Sequence, residues 1–251
     1  QAISARLWSA GFLSGEYSGI ALRSSGDPVL YIGNPDGVPT KMRRRMLDAL
    51  SELNQMQEAK IADPETRVRI SQYEMAFRMQ TSVPDLVDMS KEPANVLEAY
   101  GAKPGDGSFA SNCLLARKLA ERGVRFIQLY HRDWDHHEQV KNGIRYKAEE
   151  VDKPTAALIK DLKERGMLDE TLIIFGGEFG RTPMSQSGTG RDHHIKTFSY
   201  MFAGGGFKPG TVYGASDELG YAAVDKPVSI HDLHATILRV LGIDHRRMTV
   251  K

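Results

Sequence analysis

Cysteine is almost missing from this 251-residue chain: Cys113 is the only one. A single thiol cannot close an internal disulfide, so no cross-linked scaffold is expected and the redox compartment stays open. Within "NCLLARKLAERG" the residue reads as a small apolar group packed in a helix, not as a catalytic thiol. Long apolar runs are also missing, and no stretch approaches the ~20 residues that span a bilayer. Neither sign of charge dominates. The 33 basic residues against 32 acidic ones leave a net +1, and the basic cluster "KMRRRM" (41–46) is too short for a nucleic-acid footprint. Histidine is absent from the first 130 residues, and all eight lie between His131 and His245. What is present, 41% hydrophobic and 26% charged residues, suits one large α/β domain or two small ones. The chain opens on Gln1 without a signal-like segment and stops at "MTVK", which reads as a piece of a longer protein.

The first 40 residues are rich in Gly, Ser and Pro and hold one strand candidate, "PVLYIG" (28–33). From Thr40 the spacing of Met42, Met46, Leu50 and Leu53 predicts a helix with that apolar stripe, and Arg43, Arg44 and Arg45 fall on its solvated face. A second helix is expected after Pro64, and a third from Pro93 in "PANVLEAYG", stopped by Gly101. From Ser108 the pattern becomes regular. "SFASNCLLARKLAERG" reads as a helix, "VRFIQLY" (124–130) as a buried strand, and "KPTAALIKDLKERG" as a helix stopped by Gly166. "TLIIFGG" and "TFSYMFAGGG" read as strands, and "SIHDLHATILRVLGI" as a closing helix. Helices alternating with apolar strands predict crossover connections, hence an α/β fold with a mainly parallel sheet and helices on both faces. The boundary is set between a Gly/Pro-rich start plus helical insertion (1–107) and an α/β half (108–251).

In such a sheet, ligands bind where the carboxyl ends of the strands open into loops. "HRDWDHHE" (131–138) follows one strand candidate, and Glu178 and Arg181 of "GGEFGRTP" follow another. "GRDHH" adds Asp192, His193 and His194. Imidazole with carboxylate suits zinc, manganese or iron, and a carboxylate-rich set also suits magnesium or calcium. Asp135 and His137 are two apart, so on an extended or turning backbone they can face the same side. Asp133 and His136 are expected to point elsewhere, Asp133 into a solvated loop. His131 fits a ligand, a partner that orients a ligand, or a substrate contact. Glu178 emerging from an apolar strand requires a pair or a metal. Arg181 either supplies that pair or grips an anionic substrate with its fork. Ser185, Ser187 and Thr189 carry no sign of activation as nucleophiles. His231 and His234 share a helix face, Asp232 belongs near that helix start, and His245 reads as structural.

The segments "RLWSAGFLSGEYSGI", "LYHRDWDHH", "GGEFGRTP", "GRDHHIKTFSYMFAGGG", "VYGASDELGY" and "VSIHDLHATILRVLGIDH" resemble the DUF1501 family and, through it, the alkaline phosphatase/sulfatase superfamily. The resemblance covers nearly the whole chain and is densest after Gly123. It implies a fold of that superfamily, incomplete on its amino-terminal side, and a metal-dependent hydrolase of phosphate or sulfate esters. Asp135, His137, Glu178, Asp192 and His193 would hold a divalent ion (zinc, calcium, magnesium or manganese). Arg181, His194 and His131 would contact the substrate, a small anionic ester or a sulfated or phosphorylated glycan. The superfamily's nucleophile precedes the region present here, so this chain alone is expected to turn over little ester. A non-catalytic protein that binds a metal or an anionic glycan is the alternative. The family likeness implies a periplasmic or secreted full-length protein.

Overall fold

Two long helices follow the Gly/Ser/Pro-rich start: α1 (Thr40–Ile61) and α2 (Pro64–Val87). The computed structural model describes residues 10, 11, 13, 17–23, 28, 29, 33–61 and 64–248, so the middle of the strand expected over 28–33 (residues 30–32) lies outside the described residues. The chain divides into two compact units, residues 1–97 with 102–115 and residues 98–101 with 116–251. In the first unit, Leu47 of α1 and Val68, Val83 and Leu86 of α2 are buried. The expected stripe of Met42, Met46, Leu50 and Leu53 stays exposed instead. Periodicity finds apolar positions on α1, but the contact with α2 selects which of them is covered. Arg44, expected on the solvated face, grips Glu74 of α2 with both arms of its fork at 3.0 and 2.5 Å and donates from Nε to Asp48 at 2.8 Å. The Arg44 hydrogen bonds hold Glu74 below the usual carboxylate range.

The second unit takes the end of α3 (Ala94–Tyr100), the carboxyl-terminal part of α4 (Phe109–Glu121) and all of α5 (Val140–Glu164). Val151, Pro154, Leu158 and Leu162 bury one stripe of α5. Beside that stripe lies a polar network around Arg117, which is only 3% exposed. Asp161 accepts from Tyr100 Oη at 2.9 Å and from Arg165 Nε at 2.6 Å, and its Oδ2 lies 3.2 Å from Arg117 Nε. Glu121 takes Arg117 Nη1 and Arg165 Nη1, each at 2.7 Å. Two acids against two guanidinium groups balance the buried charge, and they lock α5 to the end of α4.

The sheets differ from the sequence-based expectation. β1 (Leu172–Phe175) pairs antiparallel with β4 (Met201–Gly204), from Leu172 opposite Gly204 to Phe175 opposite Met201. β2 (Gly180–Arg181) pairs antiparallel with β3 (His193–His194), and β5 (Ala215–Ser216) with β6 (Ala223–Asp225). Among the described residues every sheet has two strands, so the mainly parallel, alkaline phosphatase/sulfatase-like sheet with helices on both faces is not the architecture. The reason lies in the connections. Parallel neighbours need a crossover, usually a helix, to return the chain to its starting edge. Between β1 and β4 the chain makes the β2–β3 hairpin and no helix, so it comes back alongside β1 in the opposite direction. "VRFIQLY" (124–130) carries no regular secondary structure, and Phe126 is 74% exposed. Apolar continuity alone could not separate that segment from a buried strand.

The closing helix forms as expected, as α6 (Ile230–Val240). Ser229 accepts from the Asp232 N–H, and Asp232 accepts from the Ser229 N–H, in a capping box. Among the described residues no helix is long and apolar enough to cross a membrane. The Arg117 network yields a stability test. Asp161→Ala leaves buried Arg117 half-compensated and is expected to lose about 3 kcal/mol in urea unfolding monitored by circular dichroism.

Candidate metal centre

Two segments far apart in sequence meet beside the start of α5. The first is 131–139. The second is the excursion between β2 and β3, closed by Gln186 and Gly190, which exchange backbone hydrogen bonds at 3.1 and 2.8 Å. Ser187 (φ 52°) and Gly188 (φ 75°) are both left-handed, which turns the chain back within three residues. Thr189 then occupies the uncapped start of α5. Its carbonyl accepts from the Val140 N–H at 3.0 Å and its Oγ1 from the Gln139 N–H at 3.1 Å. The Arg191 N–H bonds the His136 carbonyl at 3.0 Å. Gly190 lies so close to the 131–139 segment that an added Cβ would stand 1.7 Å from the His137 carbonyl oxygen. Only a residue without a side chain lets the two backbones approach in this way.

This lacing brings Asp135, His137 and His193 together, each offering a ligand atom within 4.8 Å of the others. Asp135 Oδ1 lies 2.9 Å from His193 Nε2 and 3.0 Å from His137 Nε2, and the two imidazole nitrogens are 3.2 Å apart. Donors around a tetrahedral ion at about 2.0–2.1 Å are separated by roughly 3.4 Å, so the triangle is the right size with a slight opening. Two Nε2 atoms this close cannot both direct a hydrogen at each other, and both face the same carboxylate oxygen. The residues therefore fit one divalent ion. Phe179 backs the site, its ring 4.3 Å from that of His193 and tilted by 34°.

Arg181 stands opposite His193 in the β2–β3 ladder. Its Nη2 reaches Asp135 Oδ1 at 2.8 Å and the Trp134 carbonyl at 3.3 Å, while Nη1, shielded from solvent, has no hydrogen-bond partner. Hydrogen bonds from His193 and then Arg181 pull the Asp135 carboxyl down from the ordinary 3.8 to about 2. His131 sits behind the site. The Trp134 indole N–H donates to its Nδ1 at 2.9 Å, and since an indole can only donate, Nε2 carries the proton toward Glu150, 3.1 Å away. Burial holds that ring below the ordinary histidine range, and Glu150 offsets part of the effect. His131 thus braces Trp134, the residue before Asp135.

The other sequence candidates lie elsewhere. Glu178 is exposed and outside the triangle, and Arg181 pairs with Asp135 instead of with it. Asp192 accepts the His193 N–H at 2.7 Å, and its Oδ1 is 4.0 Å from His137 Nδ1, the nitrogen turned away from the triangle. His194 points to the opposite side of β3 from His193 and meets the Tyr221 carbonyl through Nε2 at 2.7 Å. Asp133 stays in solvent, and the His136 ring lies where a Gly143 Cβ would be, 2.4 Å from Cε1. His231 and His234 are exposed on α6. Sequence reasoning weighed the hydroxyls of the 185–189 turn and passed over Gln186, whose Oε1 is 2.6 Å from His137 Nδ1. Nothing in the residue type marks it out, and only the hairpin closure places it.

Two tests follow from this geometry. The Asp135 carboxyl is depressed on folding, so its contribution to stability is complete above the ordinary 3.8 and is lost as pH falls toward about 2. The melting-temperature gap between wild type and Asp135→Asn, measured by scanning calorimetry, is expected to be constant above about pH 5 and to close on acidification. Gly190→Ala forces the backbones apart. Hydrogen exchange at the Val140 and Arg191 amides is expected to accelerate by about tenfold or more.

No curated protein and no solved structure matches the chain. Over residues 1–251 the chain matches the family model described as Protein of unknown function (DUF1501). The whole described site falls within that match, and the chain belongs to the DUF1501 family.

Proposed function

We propose that Asp135, His137 and His193 hold one divalent metal ion and form the metal site of a hydrolase of phosphate or sulfate esters, with Arg181 as the anion contact and little ester turnover expected of this chain by itself. The observation that carries this reading is the convergence of one carboxylate and two imidazoles, from segments more than 50 residues apart, on a triangle a single cation fills. Two nitrogens and one oxygen favour zinc or manganese over calcium and magnesium, which prefer oxygen sets. Three protein ligands leave coordination positions open, as catalytic sites require. A bound ion would supply Lewis-acid charge for an ester oxygen.

The side chains supply the rest. Arg181 Nη2 rests on Asp135 Oδ1 and the Trp134 carbonyl, and an ion that took over the Asp135 oxygen would leave that nitrogen to meet an anionic oxygen. Asp135 is 62% exposed and His193 45%, so an ester can reach the triangle from solvent. Trp134, held by His131, fixes the backbone on which Asp135 is mounted. Cys113 is not the nucleophile, because burial pushes its thiol up to about 12 and leaves no thiolate at neutral pH. One observation favours a non-catalytic reading, in which the same residues bind a metal or an anionic glycan without cleaving it. The hydroxyl of Thr182, in the β2–β3 hairpin, is committed to the Asp192 N–H at 3.0 Å and the Met184 carbonyl at 3.0 Å, so it is not poised to attack.

Zinc and manganese titrations with aryl phosphate and aryl sulfate assays separate the readings. Asp135→Asn and His193→Ala are each expected to weaken metal binding by about 100-fold, and any ester turnover above background to be lost on chelation. Arg181→Met is expected to weaken binding of the aryl ester to the metal-loaded chain by about tenfold while metal affinity holds. Metal uptake without turnover of either ester leaves the binding reading, and undiminished metal content in both ligand variants removes the centre altogether.

A further inference from the structure

The geometry points to Gln186 as a positioning residue for His137, its amide oxygen holding the Nδ1 proton so that the Nε2 lone pair faces Asp135 and His193. The inference rests on the metal reading above and extends it to the residue that orients a ligand. A neutral imidazole carries one N–H and one lone pair, and only one of its nitrogens can face the triangle. At His137 the triangle lies on the Nε2 side, with Asp135 Oδ1 at 3.0 Å and His193 Nε2 at 3.2 Å. On the Nδ1 side both neighbours are oxygens, Gln186 Oε1 at 2.6 Å and Asp192 Oδ1 at 4.0 Å. The Asp192 oxygen already accepts the His193 N–H at 2.7 Å. Gln186 is therefore the group at hydrogen-bonding distance, and a proton at Nδ1 is what makes a 2.6 Å approach to an amide oxygen attractive.

Gln186 does not reach His137 from a loose loop. It closes the turn with Gly190 through two backbone hydrogen bonds, and Thr189 of the same turn sits on the start of α5. The turn and the ring thus belong to one laced unit, and the amide arrives with its backbone already ordered. Glutamine is neutral, so it sets the ring without adding a charge beside Asp135 and Asp192. An acceptor on the outer nitrogen of a ligating histidine fixes both the ring plane and the free lone pair, and its loss typically weakens metal affinity about 10–100-fold.

The test pairs zinc titration of the purified chain with long-range proton–nitrogen spectra of the His137 ring. The spectra are recorded on metal-free protein near pH 8, where imidazoles are neutral, and assigned with His137→Asn. The wild-type ring is expected to carry its proton on Nδ1. In Gln186→Leu the proton redistributes toward Nε2 and zinc affinity falls about 10–100-fold, whereas Gln186→Glu keeps an acceptor oxygen and restores the Nδ1 proton. A wild-type ring protonated on Nε2 overturns the assignment, as does a Gln186→Leu chain that binds zinc as tightly as wild type. If the wild-type chain takes up no zinc, the metal reading fails separately. The ring spectra of the three proteins then still decide whether Gln186 sets His137.

Discussion

The close approach of Gly190 to the His137 carbonyl is the constraint on which the site depends. With that contact, the 186–191 turn can lie against 136–140. Thr189 then satisfies the first amides of α5, Arg191 bonds the His136 carbonyl, and His193 is carried to His137 and Asp135. Backbone hydrogen bonds do most of this work. They hold side-chain positions more rigidly than surface ion pairs do, because few torsions separate the bond from the chain. α5 is in turn fixed at its other end by the buried charge network of Arg117 and Asp161. The site therefore hangs from a helix whose two ends are both tied.

Charge at the centre gathers on one oxygen. Asp135 Oδ1 faces two imidazole nitrogens and a guanidinium nitrogen, all within 3.0 Å. That crowding lowers the carboxyl's proton affinity and keeps the group anionic through the range in which cations bind. A cation at the triangle would take over the role the histidine and arginine hydrogens play at that oxygen. Arg181 would then have an arm to offer to an anion. In the proposed reading the same residues would link metal uptake with anion binding.

The fold expectation failed where helix-and-strand alternation was treated as connectivity. "TLIIFGG" and "TFSYMFAGGG" do form strands and do pair, but as the two edges of an excursion without a helix, which makes them antiparallel. "VRFIQLY" has the composition of a strand and no ladder. Composition records what a backbone can do, while a strand exists only when a neighbour supplies the matching donors and acceptors. The stripe on α1 failed for a related reason. Leu47, not the evenly spaced Met42, Met46, Leu50 and Leu53, is buried, and Arg44 finds a bidentate partner on α2 that no local pattern announces.

By itself the sequence determined the local elements whose signals lie within a few residues. The helices at Thr40, Pro64, Phe109 and Ile230 are of this kind, because caps, breakers and periodicity act over one or two turns. It also offered Asp135 and His137, two apart on an extended or turning backbone, as side chains that can share a side, and in the structure they meet while His136 packs against Gly143. The tertiary structure alone decided which distant residues join them. It chose His193 over His194 and Glu178, placed Asp192 on the outer side of His137, turned Arg181 to Asp135, and brought in Gln186. Those choices are set by how two loops dock across more than 50 residues of chain, and a docking geometry has no period to read.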